Sequence, residues 1–361
     1  KRQKLNDYDR LSIPSAAYIF YRNALLFSTA EGGIRIDAVN VSKRVQDRNA
    51  RGKISLVTNV TFRIEAGEFV AVVGGSGAGK STLLDCINGM RPATDGKIYY
   101  DTNDYYENMN TYKGVVGYVP QRDIMHDDLT VADALRYTAM LRTRADLSKE
   151  ELAARVNGAI ADVRLQGKEH LRISSLSGGQ KKRVSIAMEL LSDPKVIFLD
   201  EPTSGLSPDL DMEMMELLKE LSKKGRTIVV ITHAMENLDK CDRVAFLGRG
   251  GRLCFYGAAK DAFRWFNRRS YSRIFAALGS EETSEQFAKK YRRSPYYAEL
   301  YAQLAEEYGK GCCLPPEEPA ESGAVWEKAP KRLPRRVRTA DAAAEAPEDF
   351  ETDESDGEEE E

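Results

Sequence analysis

The chain has 361 residues, 42% hydrophobic and 30% charged, the proportions of a soluble globular protein with a sizeable core. No apolar run approaches the roughly 18 residues that span a bilayer, no secretory signal is visible, and the five cysteines lack framework spacing, which fits a reduced cytoplasmic setting. The formal net charge of −3 conceals an asymmetry: residues 341–361 carry many acidic and no basic residues, 328–338 form a basic patch, and the remainder is net basic.

In chain order, residues 9–13 and 18–28 read as short strands broken near Pro14 and near Arg22 and Asn23, too small a unit to bury a core alone. Residues 34–40 alternate apolar with polar and suit a strand, 54–64 another, with a charged loop at 42–53 between them. The β-branched run 68–73 reads as a buried strand, followed by a glycine-rich loop and a helix at 80–89. Strands are expected at 96–100 and 115–119, separated by a polar, tyrosine-rich loop at 101–113, and the second ends in Pro120 and Gln121. Helical periodicity then takes over. One helix is capped by Thr130 with Asp133 three residues on, another by Ser148 with Glu151, and 176–191 reads as a loop leading into a third. Strands resume at 196–200 and 227–232 around an amphipathic helix at 208–224, and two more are expected at 243–247 and 252–256. The alternation predicts an α/β fold, a largely parallel sheet flanked by helices, with a helical insertion at 124–193. Residues 258–308 look helical. From Gly311 the composition shifts to proline, alanine and charge, and 311–361 read as a disordered linker or acidic tail.

The chemistry concentrates in a few stretches. Gly74, Gly75, Ser76, Gly77, Ala78, Gly79, Lys80 and Ser81 fit the template G-x-x-x-x-G-K-[ST] at every fixed position, with Thr82 behind. Glycines let the backbone turn its N–H groups toward an anion, Lys80 adds a compact positive charge for the β- and γ-phosphates, and Ser81 offers a hydroxyl to Mg²⁺. A second anion-type element follows at Leu176, Ser177, Gly178, Gly179 and Gln180, ahead of a helix. Downstream, an apolar strand ends in the adjacent carboxylates Asp200 and Glu201, and another leads to His233.

At this point the chain resembles the ATPase (nucleotide-binding) domain of ATP-binding-cassette (ABC) transporters, over residues 34–257. The resemblance implies a P-loop NTPase (RecA-like) core with an antiparallel β subdomain and a helical signature subdomain. It implies ATP and Mg²⁺ as substrate and metal. In the family's terms Gly74 to Ser81 match Walker A, Ser81, Gln121 and Asp200 the metal ligands, Ser177 to Gln180 the signature motif, Glu201 the catalytic glutamate and His233 the switch histidine. Ser207 stands where the family's D-loop ends in aspartate, and 42–53 contain no aromatic residue to stack adenine. The implied partners are a second copy, meeting the first on ATP binding, and a membrane permease, with the ATPase at the cytoplasmic face. Residues 128–142, 182–195 and 255–297 resemble the White-type, or G, branch. Residues 1–30 resemble the closing strands of a forkhead-associated domain, a phosphothreonine-binding sandwich, and 258–310 a helical extension. A soluble ABC ATPase acting on ribosomes or DNA is the alternative, but such proteins carry two cassettes or a long coiled coil, and here there is one cassette and no sustained heptad. A phosphothreonine-regulated adaptor is a third reading, with only a domain fragment behind it. No specific nucleic acid is expected.

Overall fold

The computed structural model describes residues 10–13, 16–21, 24–28, 33–46, 52–142, 148–233 and 235–317. The basic stretch 328–338 and the acidic stretch 341–361 lie outside them. The first strands, β1 (Arg10–Ile13), β2 (Ala16–Tyr21) and β3 (Ala24–Ser28), form an antiparallel three-stranded sheet. β4 (Ile36–Gln46) and β5 (Lys53–Ile64) make a long antiparallel hairpin. β6 (Phe69–Gly74) leads into α1 (Lys80–Ile87), then come β7 (Asp95–Tyr100), β8 (Asn103–Asp104), α2 (Met109–Tyr112) and β9 (Val116–Val119). The helical insertion holds α3 (Val131–Arg142), α4 (Lys149–Asp162) and α5 (Gly178–Leu190). β10 (Val196–Asp200), α6 (Pro208–Lys223), β11 (Thr227–Ile231), β12 (Arg243–Gly248) and β13 (Arg252–Gly257) complete the sheets. Four helices follow, α7 (Ala259–Phe266), α8 (Tyr271–Ala277), α9 (Glu281–Arg292) and α10 (Pro295–Tyr308).

The main sheet has the order β13-β12-β6-β11-β10-β9 and is parallel except for β13. β6 and β11 are buried along their whole length, as strands covered on both faces by helices must be. Because β6, β9, β10 and β11 run the same way, Gly74, Pro120, Asp200 and Thr232 all emerge at one edge, where ligands bind in open α/β sheets. The second sheet, β5-β4-β7-β8, is antiparallel.

Three stretches differ from the sequence reading. The charged loop at 42–53 is shorter than expected, since β4 runs on to Gln46 and pairs it with Lys53. Exposed Arg44 and Gln46 are polar because the hairpin arm projects into solvent, and charge does not preclude pairing there. The tyrosine-rich stretch 101–113 sends side chains into the core. Tyr100, Tyr105 and Tyr112 pack ring against ring and are nearly or fully buried. Their neighbourhood explains the polarity: Tyr100, Tyr105 and Tyr106 donate hydroxyls to the carbonyls of Ile87 (3.0 Å), Asn88 (2.7 Å) and Cys86 (2.8 Å). These are end-of-helix carbonyls that α1 leaves without intrahelical partners. The tail does not loosen at Gly311 either. Cys313 is buried, Tyr297 donates to the Leu314 carbonyl at 2.7 Å, and Arg292 and Arg293 both reach Glu317.

α10 is tied to the antiparallel sheet by a buried ionic cluster. Arg63 grips fully buried Asp37 through two hydrogen bonds of 2.6 and 3.0 Å, and Tyr308 donates to the same carboxylate at 2.7 Å. Arg35 and Arg63 also share Glu307. Removing one partner of such a cluster strands the others without water, at about 3–5 kcal/mol. Asp37→Ala should therefore lower unfolding stability in urea by about that amount. A loss below 1 kcal/mol would show that α10 is not held through this carboxylate.

Candidate functional site: a phosphate loop facing two carboxylates

The loop between β6 and α1 is shaped by glycine at two positions. Gly77 and Gly79 adopt φ of 73° and 89°, a region L side chains rarely enter. At Gly79 a Cβ would also come within 2.3 Å of the Leu56 carbonyl oxygen. No side chain caps α1, so its first-turn N–H groups at Lys80, Ser81 and Thr82 have no intrahelical acceptor and stand at the helix's positive end. Ala78 packs inward, while Ser76 and Gly77 face solvent.

Lys80 folds back over the loop. Its Nζ donates to the carbonyls of Gly74 (3.0 Å) and Gly75 (3.1 Å), and among the described residues no carboxylate pairs with it directly. Burial pulls its pKa below the usual ammonium range, against the opposing pull of Glu201 and Asp200. An ammonium held only by neutral carbonyls, beside uncapped N–H groups, suits a polyanion such as a nucleoside triphosphate.

Ser81 donates to Asp200 at 3.3 Å. Burial raises the Asp200 carboxyl above the usual range, the Ser81 hydroxyl works against this, and Glu201 reinforces it. A cation would reverse that shift. Among the described residues no group of three or more His, Cys, Asp or Glu could cage a metal. One carboxylate and one hydroxyl are instead the partial oxygen set that Mg²⁺ takes when substrate phosphates complete it.

Glu201 follows β10 in the left-handed region, at φ 49°, and its carboxylate bridges two segments. Gln121 Nε2 donates to Oε2 at 2.8 Å, and His233 Nε2 lies 2.6 Å from Oε1. The structure thus gathers Lys80, Ser81, Gln121, Asp200, Glu201 and His233 at one sheet edge, with Ser81 on Asp200 and the Gln121 amide turned to Glu201. Ser177, Gly178, Gly179 and Gln180 stand apart: among the described residues no hydrogen bond joins them to this group. They open α5 through a reciprocal cap in which Ser177 Oγ accepts from Gln180 N and Gln180 Oε1 accepts from Ser177 N. Gly178 is exposed, with open space where a Cβ would be.

Two positioning residues escaped the sequence reading. Lys182, on α5, donates to the carbonyls of Pro120 (3.1 Å) and Gln121 (3.0 Å) and pairs with Asp123 at 2.7 Å. Asp123 also accepts from Ser185 at 2.8 Å. The only sequence signal was a lysine and a serine one turn apart on a helix, which reads as a solvated face.

Comparison with known proteins agrees with this geometry. Residues 57–204 match the family model described as ABC transporter. The ABC transporter ATP-binding/permease protein Rv1747 of Mycobacterium tuberculosis is 32% identical over 283 residues, which cover 77% of this chain and 32% of that protein. ABC transporter G family member 1 of Dictyostelium discoideum is 35% identical over 245 residues, 64% of this chain and 30% of its own. The chain thus spans about a third of the length of these relatives. The methionine import ATP-binding protein MetN 2 of Listeria innocua is 34% identical over 278 residues, 75% of this chain and 76% of that protein. Among solved structures, cbiO1 from Clostridium perfringens, part of the ABC transporter complex cbiONQ, superposes with a TM-score of 0.57 at 30% identity, covering 68% of this chain and 98% of that one. A dimeric post-hydrolysis state of the ATP-binding cassette MJ0796, bound to ADP and phosphate, gives 0.55 at 28% identity over 62% of this chain and 98% of that one. With a phosphate loop, an oxygen pair for Mg²⁺ and a carboxylate beyond it on one sheet edge, the chain belongs to the ABC transporter family, as an ATP-binding domain that hydrolyses ATP with Mg²⁺.

Proposed function

We propose that this ATPase powers transport of a substrate across a membrane, working as a head-to-tail pair of copies under a permease at the cytoplasmic face. The observation that carries the pairing is the separation just described. The P-loop offers donors on one side of the phosphates only, while the signature residues of the same chain open a helix of the helical insertion and, among the described residues, share no hydrogen bond with the site. A second copy would supply its Ser177, Gly178 and Gly179 to the open side. The permease is supported by the name of the mycobacterial relative and by exposed apolar side chains. Among the described residues seven large hydrophobics stand exposed, and four of them, Ile124, Tyr137, Met140 and Leu141, lie in the helical insertion. Similarity to G family members supports the White-type branch, and the small β1–β3 sheet is compatible with the end of a forkhead-associated domain.

The residues divide the reaction between them. Lys80 and the first-turn amides of α1, with the loop residues from Gly74 to Thr82, hold the β- and γ-phosphates. Ser81, Asp200 and Gln121 would hold Mg²⁺, which neutralises phosphate charge when bound. Glu201 orients the attacking water and draws its proton, and His233 contacts the γ-phosphate. Both Glu201 oxygens are engaged by Gln121 and His233. Each oxygen keeps a further lone pair for water, and turning Gln121 and His233 away would leave both oxygens open to it.

Substituting the signature serine tests the pairing. In a hydrolysis-deficient background, Mg-ATP should convert monomers to dimers in light scattering. Adding Ser177→Arg should keep the protein monomeric with single-chain ATP affinity nearly intact. Loss of the cap costs only about 0.5–2 kcal/mol, so the fold survives. A dimer that forms without ATP, or one that Ser177→Arg leaves intact, would overturn the paired reading.

A further inference from the structure

We propose that the cleft between α7 and α8 is a second anion site, shaped for a small molecule that carries two or more phosphate charges and an apolar part. The cleft measures about 510 Å³, within the roughly 300–1,000 Å³ typical of ligand pockets. Arg268, Arg269 and Arg273 line it with Asn267, and Phe263, Ala276 and Ala277 supply apolar lining.

Charge singles this place out. Residues 262–280 contain four arginines and no aspartate or glutamate. The three lining arginines are exposed, and among the described residues none has a carboxylate partner. Some exposed arginines elsewhere are paired, as in Arg142–Glu189 (2.7 Å) and Arg164–Glu220 (2.6 Å), and others, such as Arg122 and Arg172, stand singly, whereas here three gather at one concavity. Guanidiniums gathered over one concavity without counter-ions repel one another. A polyanion converts that repulsion into attraction, and the planar fork of each guanidinium matches two phosphate oxygens at once. A flat basic face would suit a lipid surface or nucleic acid backbone. A cleft of this volume with an aromatic side chain in its lining suits a compact ligand.

The cleft also has a route to the phosphate loop. Tyr271 and Phe275 of α8 stack on Phe246 at 6.3 and 5.9 Å between ring centroids. Phe246 lies in register with Val73, the residue before Gly74.

The test uses the full chain carrying Lys80→Ala, which weakens phosphate binding at the P-loop, and the arginine variants made in that background separate the two sites. Calorimetric titration with inorganic pyrophosphate at low ionic strength should show one saturable site. The added triple change Arg268→Ala, Arg269→Ala and Arg273→Ala should weaken it at least about tenfold, with circular dichroism and thermal unfolding unchanged. Arg164→Ala, an exposed arginine already paired, should leave the affinity as it was. An adenosine bisphosphate probe should bind more tightly than pyrophosphate through the apolar lining. Absence of a saturable site, equal affinity in the triple variant, an equal loss with Arg164→Ala, or no gain from the adenosine probe would each overturn the proposal.

Discussion

Glu201→Gln is expected to slow ATP hydrolysis by about 10²–10⁴-fold while leaving Mg-ATP binding intact. Glutamine keeps the length, the planar end and one carbonyl acceptor. It loses the negative charge that draws a proton from water and the second oxygen that now meets Gln121 or His233. The backbone supports such a clean separation. Residue 201 sits at φ 49°, a conformation that costs a non-glycine residue about 1–3 kcal/mol, and glutamate and glutamine bear that cost alike. Neither Lys80 nor the Ser81–Asp200 pair loses a contact. Single-turnover hydrolysis and equilibrium nucleotide binding, measured on the same preparation, separate the two effects. A variant that turns over at the wild-type rate would remove Glu201 from the chemistry.

Lys80→Ala should act on the other half of the cycle. Among the described residues the Lys80 ammonium is the cationic side chain folded over the loop, and a hydrogen bond to a charged partner contributes about 1.5–3 kcal/mol net. Nucleotide affinity should therefore fall roughly ten- to a hundredfold by that measure, and turnover with it. The change also leaves the Gly74 and Gly75 carbonyls without the donor that now holds them at 3.0 and 3.1 Å. Two oxygens then face the phosphates unscreened. Titration with a fluorescent nucleotide reads the effect, and an unchanged affinity would mean that phosphates are held elsewhere.

Much of this was legible because it is local. The P-loop, the Ser148–Glu151 cap and the strand ending in Asp200 and Glu201 are each specified within a few neighbouring residues, so spacing alone points to them. The cap at Ser177 was equally local, read as a loop leading into a helix, and only its reciprocal half, Gln180 reaching back to the Ser177 N–H, was not foreseen. What could not be read depends on partners far apart in sequence. Asp37, Arg63 and Glu307 are ordinary surface residues by type, and only folding brings a strand pair and the last helix together around them. The tyrosines at 105 and 106 look like loop residues until α1 ends beside them and, with Tyr100 of the preceding strand, gives their hydroxyls three carbonyls. The left-handed turn at Glu201 has no signature at all, since nothing in a glutamate's chemistry asks for positive φ.

The anchoring of Gln121 by Lys182 has a mechanical consequence. Lys182 and Ser177 belong to the same rod, about 7.5 Å apart at the 1.5 Å rise of an α-helix. One end of that rod carries the residues proposed to touch the nucleotide of a partner copy. The same rod grips the backbone of the glutamine that closes on its own Glu201. Tilting α5 as the partner's phosphates arrive would drag Gln121 along its own active site, so that each copy unlocks its water-orienting carboxylate on sensing the other's fuel. Hydrolysis would then be geared to assembly, and an idle single copy would waste little ATP.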